Sequence, residues 1–245
     1  MDYYATAKTA SQQISGHPGL EFLRAKIQPE MRILDVGCGE GTRLQTLTAG
    51  RPGGFGIDVN PAAVRLAKRR YPGHRFLVGR AEQLPFRRNS FDLVYTAFAI
   101  EHCQFPEKFL TEMLRVVRPG GRIVVLAPNF GAPNRRSPVS LTSPATKLVQ
   151  GLIKDLWPPP ALDWEQVVPK DTYENIDDDT TFEPYVGSLI RFLRRRGLQI
   201  EIASSLWELE PPPQKLHHRL FLALGKSGLP PFRFWGPQLF VSALK

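Results

Sequence analysis

The segment Asp35-Val36-Gly37-Cys38-Gly39-Glu40-Gly41 constrains this chain more than any other stretch. It closes the apolar run Arg32-Ile33-Leu34-Asp35-Val36, which reads as a β-strand, and opens a helix. Glycines at alternate positions let the backbone turn sharply and approach a ligand with no side chain in the way. The G-x-G-x-G spacing differs from the G-x-G-x-x-G of dinucleotide sites, whose helix N-terminus holds a pyrophosphate. A second strand, Gly54-Phe55-Gly56-Ile57-Asp58, ends on an acid 17 residues after Gly41. A carboxylate there can accept hydrogen bonds from both hydroxyls of a ribose.

The surrounding 120 residues alternate short apolar runs with amphipathic stretches, the pattern of βαβ units and a parallel sheet. Asn60-Pro61 starts a helix that runs from Ala62 to about Arg70: Asn caps free amides, and Pro suits the first turn. Arg75–Val78 and Phe91–Tyr95 read as third and fourth strands. A helix from Pro106 to Val117 places Leu110, Met113, Leu114 and Val117 on one face, and Pro119-Gly120-Gly121 is expected to end it. A fifth strand spans Arg122–Ala127, rich in β-branched residues.

From Pro128 to about Pro184 recurrent prolines break any long element, although Val139 to Leu156 can hold a helix. A clear helix follows from Pro184 to Arg196, with Val186, Leu189, Ile190 and Leu193 on one face and Gly197 as its C-terminal cap. Leu198–Ala203 and Gln238–Leu244 read as the last two strands, separated by a helix near Gln214 to Lys226 and an aromatic, Pro-rich stretch.

These residues carry a family resemblance. Ile33 to Leu44 looks like motif I of the class I S-adenosylmethionine (SAM)-dependent methyltransferases, and Phe55-Gly56-Ile57-Asp58-Val59-Asn60 resembles the segment after it. Gly79-Arg80-Ala81-Glu82-Gln83-Leu84-Pro85-Phe86, then Ser90-Phe91-Asp92-Leu93-Val94, resembles the corresponding run of the subgroup that includes ubiquinone and menaquinone methyltransferases. Ala99-Ile100-Glu101-His102 and Leu114-Arg115-Val116-Val117-Arg118-Pro119-Gly120-Gly121 complete it. The resemblance is tight over residues 31 to 127. It implies an α/β, Rossmann-like sheet of seven mostly parallel strands with the last antiparallel, helices on both faces, and insertions after strand five and between strands six and seven.

A single domain over 1–245 follows: an N-terminal helical cap (1–30), a SAM-binding core (31–127), a substrate-side insertion (128–184) and C-terminal sheet elements (185–245) with a helical insertion at 205–237. By the same resemblance, Asp35 and the backbone of Gly37, Cys38, Gly39 and Gly41 hold the methionine end of SAM. Asp58 holds the ribose, Val59 packs on the adenine, Ala81 offers its amide to that ring, and Thr96 joins the cofactor set. The family usually has Asp where this chain has Arg80, which lacks an acceptor, so either Glu82 or a backbone carbonyl serves the adenine amino group, or cofactor affinity is modestly weaker. The N-terminal Tyr3-Tyr4 and a helix near Leu20 to Ile27 cover the cofactor by resemblance only.

Transfer from a sulfonium relies on positioning, so a dedicated acid or base is not obligatory. Where the acceptor is a hydroxyl, a base helps, and His102 after the fourth strand is the catalytic candidate. Base- and amide-methylating enzymes carry an N/D-P-P-Y-type motif there, whereas this chain has Thr96-Ala97-Phe98-Ala99. O- or C-methylation of a small or lipid-like acceptor is therefore expected. Trp157, Trp164, Tyr173 and Phe182 can shape an apolar lid, and the helix bearing Lys215, His217, His218 and Arg219 can either pack on the sheet or lie on an anionic membrane.

The net charge of +9 leaves an RNA acceptor such as tRNA as an alternative, and a non-catalytic SAM-binding protein as another. The glycine spacing argues against a nicotinamide oxidoreductase. Cys38 and Cys103 sit inside other motifs, and no cysteine or histidine spacing suggests a metal. No apolar run approaches the roughly 20 residues of a membrane span. Met1 to Ala5 lacks a secretory pattern, so a cytoplasmic location is expected. Oligomeric state is not legible.

Overall fold

The computed structural model describes residues 16–170, 177–212 and 216–245. Tyr3, Tyr4, Tyr173 and Lys215 lie outside the described residues. The chain divides into two compact units, one of residues up to Val125 plus Leu244–Lys245, the other Leu126–Ala243.

The first unit begins with helix α1 (Pro18–Lys26) and continues β1 (Ile33–Val36), α2 (Thr42–Leu47), β2 (Phe55–Asp58), α3 (Pro61–Arg70), β3 (Arg75–Val78), β4 (Phe91–Ala97), α4 (Pro106–Val116) and the start of β5 (Val117–Pro128). β1 pairs in parallel with β2 and β4, and β2 with β3, so these strands end on one edge. All four residues of β1 are buried, as a central strand covered on both faces requires. Asn60 caps α3 as the sequence predicts, its Oδ1 accepting from the amides of Ala62 and Ala63. Leu110, Met113, Leu114 and Val117 are buried together.

Pro119-Gly120-Gly121 departs from expectation. The helix already stops at Val116, and the Pro-Gly-Gly run lies inside the extended β5. Its backbone is held by exchange with the chain's last residue: Gly120 N–H donates to Lys245 O at 2.7 Å and Lys245 N–H to Gly121 O at 3.0 Å. Two residues opposite one, with Gly120 at φ +74°, make a glycine β-bulge in an antiparallel pairing. With β8 (Gln199–Ser204) and β9 (Gln238–Leu244) the complete sheet has seven strands in the order β3-β2-β1-β4-β5-β9-β8, mostly parallel with the last strand in sequence antiparallel.

The second unit contains α5 (Pro144–Leu156), the short pair β6 (Glu165–Gln166) and β7 (Phe182–Glu183), α6 (Val186–Arg195), β8 (Gln199–Ser204), α7 (Leu216–Lys226) and β9 (Gln238–Leu244). The β6–β7 ribbon was not legible in the sequence, and α5 starts at Pro144 rather than Val139 because Ser143 caps it through the amide of Thr146. Gly197 follows α6 with φ +80°, and Leu198 N–H reaches back to Leu193 O, a glycine-terminated helix end.

Polar contacts organise this unit as much as apolar ones. Buried Asn129 donates to Phe234 O and Gly236 O, both at 2.8 Å, and accepts from Val186 N–H at 3.1 Å. Arg135 pairs with Glu210 and lies over the Trp207 ring. Trp164 is buried and donates to Tyr185 O, whereas Trp157 is largely exposed, so the aromatics of the insertion do not share one surface.

Candidate active site

The glycine loop is fastened to its own scaffold. Gly37 and Cys38 N–H both donate to Ile57 O, at 2.8 and 3.1 Å, and Gly41 N–H donates to Cys38 O at 3.0 Å. Gly39 N–H donates to Asp58 Oδ2 at 2.8 Å. All three glycines have positive φ, but they differ in what surrounds them. A Cβ at Gly37 would lie 2.2 Å from that of Ala99, and one at Gly41 would lie 2.6 Å from the Phe76 ring. At Gly39 a Cβ would meet nothing within 4 Å. Close packing explains two glycines, and the third borders open space.

Asp58 ends β2 as a strap, with Oδ1 accepting from Asn60 N–H and Oδ2 from Gly39 N–H, each at 2.8 Å. Each carboxylate oxygen keeps a second lone pair for a further donor. Val59 beside it and Val78, paired opposite Asp58 at the end of β3, leave apolar surface exposed.

Asp35 is the electrostatic centre. Its side chain is fully buried, Tyr95 donates to Oδ2 at 2.8 Å, and Oδ1 has no hydrogen-bond partner. Burial pushes its pKa up to about 7, against the attraction of Arg43 and the Tyr95 hydrogen bond. A buried carboxylate oxygen without a partner is costly and suits a cationic donor. This orphan oxygen, with the open space at Gly39, is the observation that fits the ammonium end of SAM.

Sequence reading missed Tyr95, Arg43, Phe98 and His17. Asp35 and Tyr95 are register partners on neighbouring strands, which puts their side chains on one face, but the register is invisible before the strands are paired. Arg43 donates to Ala97 O at 2.7 Å and lies over the Phe98 ring, 5.4 Å from its centroid. Phe98 has φ +56°, a strained backbone for a bulky residue placed where β4 ends. His17 meets its ring edge-on at 5.8 Å.

Arg80, Ala81 and Glu82 follow β3. Arg80 donates to Gln104 Oε1 at 2.6 Å and lies 3.7 Å from Glu82, whose Oε1 accepts from Gln104 N–H at 3.1 Å. Arg80 and Glu82 thus clasp the stretch after β4, and Gln104 is a third member absent from the sequence reading. His102 sits on a short 3-10 helix, Ile100–His102, with Nε2 3.7 Å from Oε1 of buried Glu101. Thr96 lies inside β4 with its hydroxyl buried.

Neither Cys38 nor Cys103 is in a disulfide, and both are buried. Burial raises their thiols well above the ordinary range, so neither is a ready thiolate nucleophile. Among the described residues no group of three or more His, Cys, Asp or Glu could hold a metal ion. The structure therefore joins the glycine loop to Asp58 through the Gly39 hydrogen bond and sets Asp35, bonded to Tyr95, in the strand that leads into the loop, with Val59, Arg80, Ala81, Glu82 and His102 following neighbouring strand ends.

Residues 34–125 match a family described as a methyltransferase domain. Over 106 residues the chain is 39% identical to a demethylmenaquinone methyltransferase of Renibacterium salmoninarum, covering 42% of this chain and 45% of that protein. Over 98 residues it is 46% identical to a phthiotriol/phenolphthiotriol dimycocerosates methyltransferase of Mycobacterium leprae, covering 38% of this chain and 36% of that one. The matches thus span less than half the length of either relative. An S-adenosylmethionine dependent methyltransferase from Mesorhizobium loti has the same fold, with a TM-score of 0.59 at 20% identity over 95% of this chain and all of that one. Residues 34–125 thus resemble a methyltransferase domain, and the fold is the one found in SAM-dependent methyltransferases.

Proposed function

We propose that this protein transfers a methyl group from SAM to a small or lipid-like acceptor, at oxygen or carbon. The partnerless oxygen of buried Asp35 carries the reading, since it supplies the anionic acceptor that an amino-acid ammonium needs. The demethylmenaquinone and phthiotriol dimycocerosates named for the two relatives support the lipid-like class.

When bound, SAM supplies a methyl group on a sulfonium, an activated donor that needs no further activation by the protein. Asp35 would take the methionine ammonium on Oδ1, its other oxygen held by Tyr95. Asp58 would accept from the ribose with its remaining lone pairs, and exposed Val59 would lie on the adenine. Glu82, which accepts from Gln104 on one oxygen, or a local carbonyl would serve the adenine amino group, and the Ala81 amide would donate to the ring. His102 would accept the proton of a hydroxyl acceptor, and the neighbouring Glu101 carboxylate would stabilise the imidazolium so formed.

Acceptor choice belongs, in this proposal, to residues outside the cofactor core. Neither cysteine forms a disulfide, which fits a reducing compartment, and the proposal places the protein in the cytoplasm. The test supplies methyl-labelled SAM and cell extract, then partitions the product. Label in the organic phase, lost in Asp58→Ala, is the expected result. Label confined to an RNase-sensitive fraction would instead make the acceptor RNA, and absence of SAM binding by calorimetry would overturn the assignment altogether.

A further inference from the structure

Helix α5 is turned inside out. A helix on the surface of a globular protein ordinarily buries its apolar stripe and shows its charges to water. In α5 two of the charges, Lys147 and Asp155, point inward, and Lys154 lies at the edge between the faces. Lys147 is buried in an ion pair with fully buried Glu183, and it lies 3.8 Å from Glu165. Asp155 accepts from Tyr185 Oη at 2.6 Å and from Trp235 Nε1 at 3.0 Å. Lys154 reaches Asp163 O at 3.4 Å, and Gly151 packs directly on Pro133.

The opposite face is apolar and open. Val149, Ile153, Leu156 and Trp157 are 57, 54, 68 and 75% exposed, and they recur at i, i+4, i+7 and i+8. Leu141, just ahead of the helix, is almost fully exposed. Between residues 136 and 160 the sole acid is the inward-turned Asp155, so the charges at the rim of this face are the cation Arg136 and the half-exposed Lys154, whose ammonium lies 3.9 Å from Asp163. Trp157 stands at the C-terminal end, where an amphipathic ring favours a boundary between lipid and water.

We propose that the outer face of α5 docks on an anionic lipid surface, lying in the headgroup boundary with Trp157 as an anchor. The charge pattern chooses this occupant: an apolar strip rimmed by cations, on a chain of net charge +9, complements anionic headgroups. No helix of the described residues is long and apolar enough to cross a membrane, and α5 has 13 residues. The contact is therefore peripheral. A second copy is the competing occupant, and a strip one helix wide falls short of the roughly 800 Å² per partner of a stable dimer. The proposal is independent of the methyl acceptor, and its test measures no methyl transfer.

The full chain is mixed with phosphatidylcholine vesicles and with vesicles also carrying about one-third phosphatidylglycerol, and bound protein is separated by flotation. The expected result is binding to the anionic vesicles only, weakened by salt and reduced about tenfold in I153E and in L156E. Both sites are exposed, so melting temperature and binding of S-adenosylhomocysteine should be unchanged in the variants. A bilayer carrying brominated acyl chains should quench wild-type fluorescence more than that of W157F. Equal flotation of wild type and both variants, or no flotation of wild type, would overturn the proposal. So would a wild-type dimer in sedimentation that I153E converts to monomer, because the face would then serve a second copy.

Discussion

The carboxyl of Asp35 is protonated in the ligand-free protein up to about pH 7, whereas its ordinary value is 3.8. The folded state therefore holds the extra proton, and stability contributed by the neutral group declines as pH rises from about 4 to above 7. Three units correspond to about 4 kcal/mol of differential interaction, an upper bound on this effect. A cationic ligand reverses the balance, since it favours the ionised acid. Affinity for S-adenosylhomocysteine is expected to rise several-fold between pH 6 and 8. Asp35→Asn should abolish that binding while raising the melting temperature of the empty protein at pH 8 more than at pH 5. Calorimetric titration and thermal melts at the two pH values check this, and a pH-independent affinity would contradict it. The sequence showed that an acid stood before the glycines, but its protonation depends on Tyr95 and Arg43, which only strand register and helix rotation bring to it.

At the scale of elements, the glycine loop separates two uses of one residue type. Gly41→Ala places a methyl against Phe76 and Ala67 at φ +81°, and it is expected to destabilise the protein by about 2–4 kcal/mol. Gly39→Ala has room for its methyl and bears only the left-handed backbone cost of about 1–2 kcal/mol. Gly39→Ala should nonetheless weaken cofactor binding more than its effect on stability implies, because the added methyl enters the open space. Denaturant midpoints beside binding isotherms distinguish the two. The motif was legible, and so were the strands and helices around it, because periodicity and caps such as Asn60 are local. The place of the Pro-Gly-Gly run inside a strand escaped sequence reading because its pairing partner is Lys245, more than a hundred residues away. The β6–β7 ribbon escaped because two-residue strands have no period to detect.

Across the whole molecule, the two units differ in how they were encoded. The first is built from apolar strands and helix faces that announce themselves in sequence. The second depends on pairs far apart along the chain, of which Asn129 is the plainest: it joins residues 186, 234 and 236. Asn129→Ala would strand two carbonyls and an amide in a buried place, and a loss of about 2–4 kcal/mol in unfolding free energy is expected. Asn129→Asp should cost at least as much, since it removes both donors and buries a charge. Urea unfolding measures both. A change under about 0.5 kcal/mol in the alanine variant would show that these hydrogen bonds do not hold the unit together.

The Asp58 strap has a kinetic consequence. Its carboxylate already fixes Gly39 and Asn60, and Ile57 O already fixes the two residues before Gly39, so the cradle keeps its shape while empty. Little conformational entropy is then left to lose on association, and encounter rather than loop ordering governs the on-rate. Changes in affinity among cofactor analogues should appear as differences in residence time.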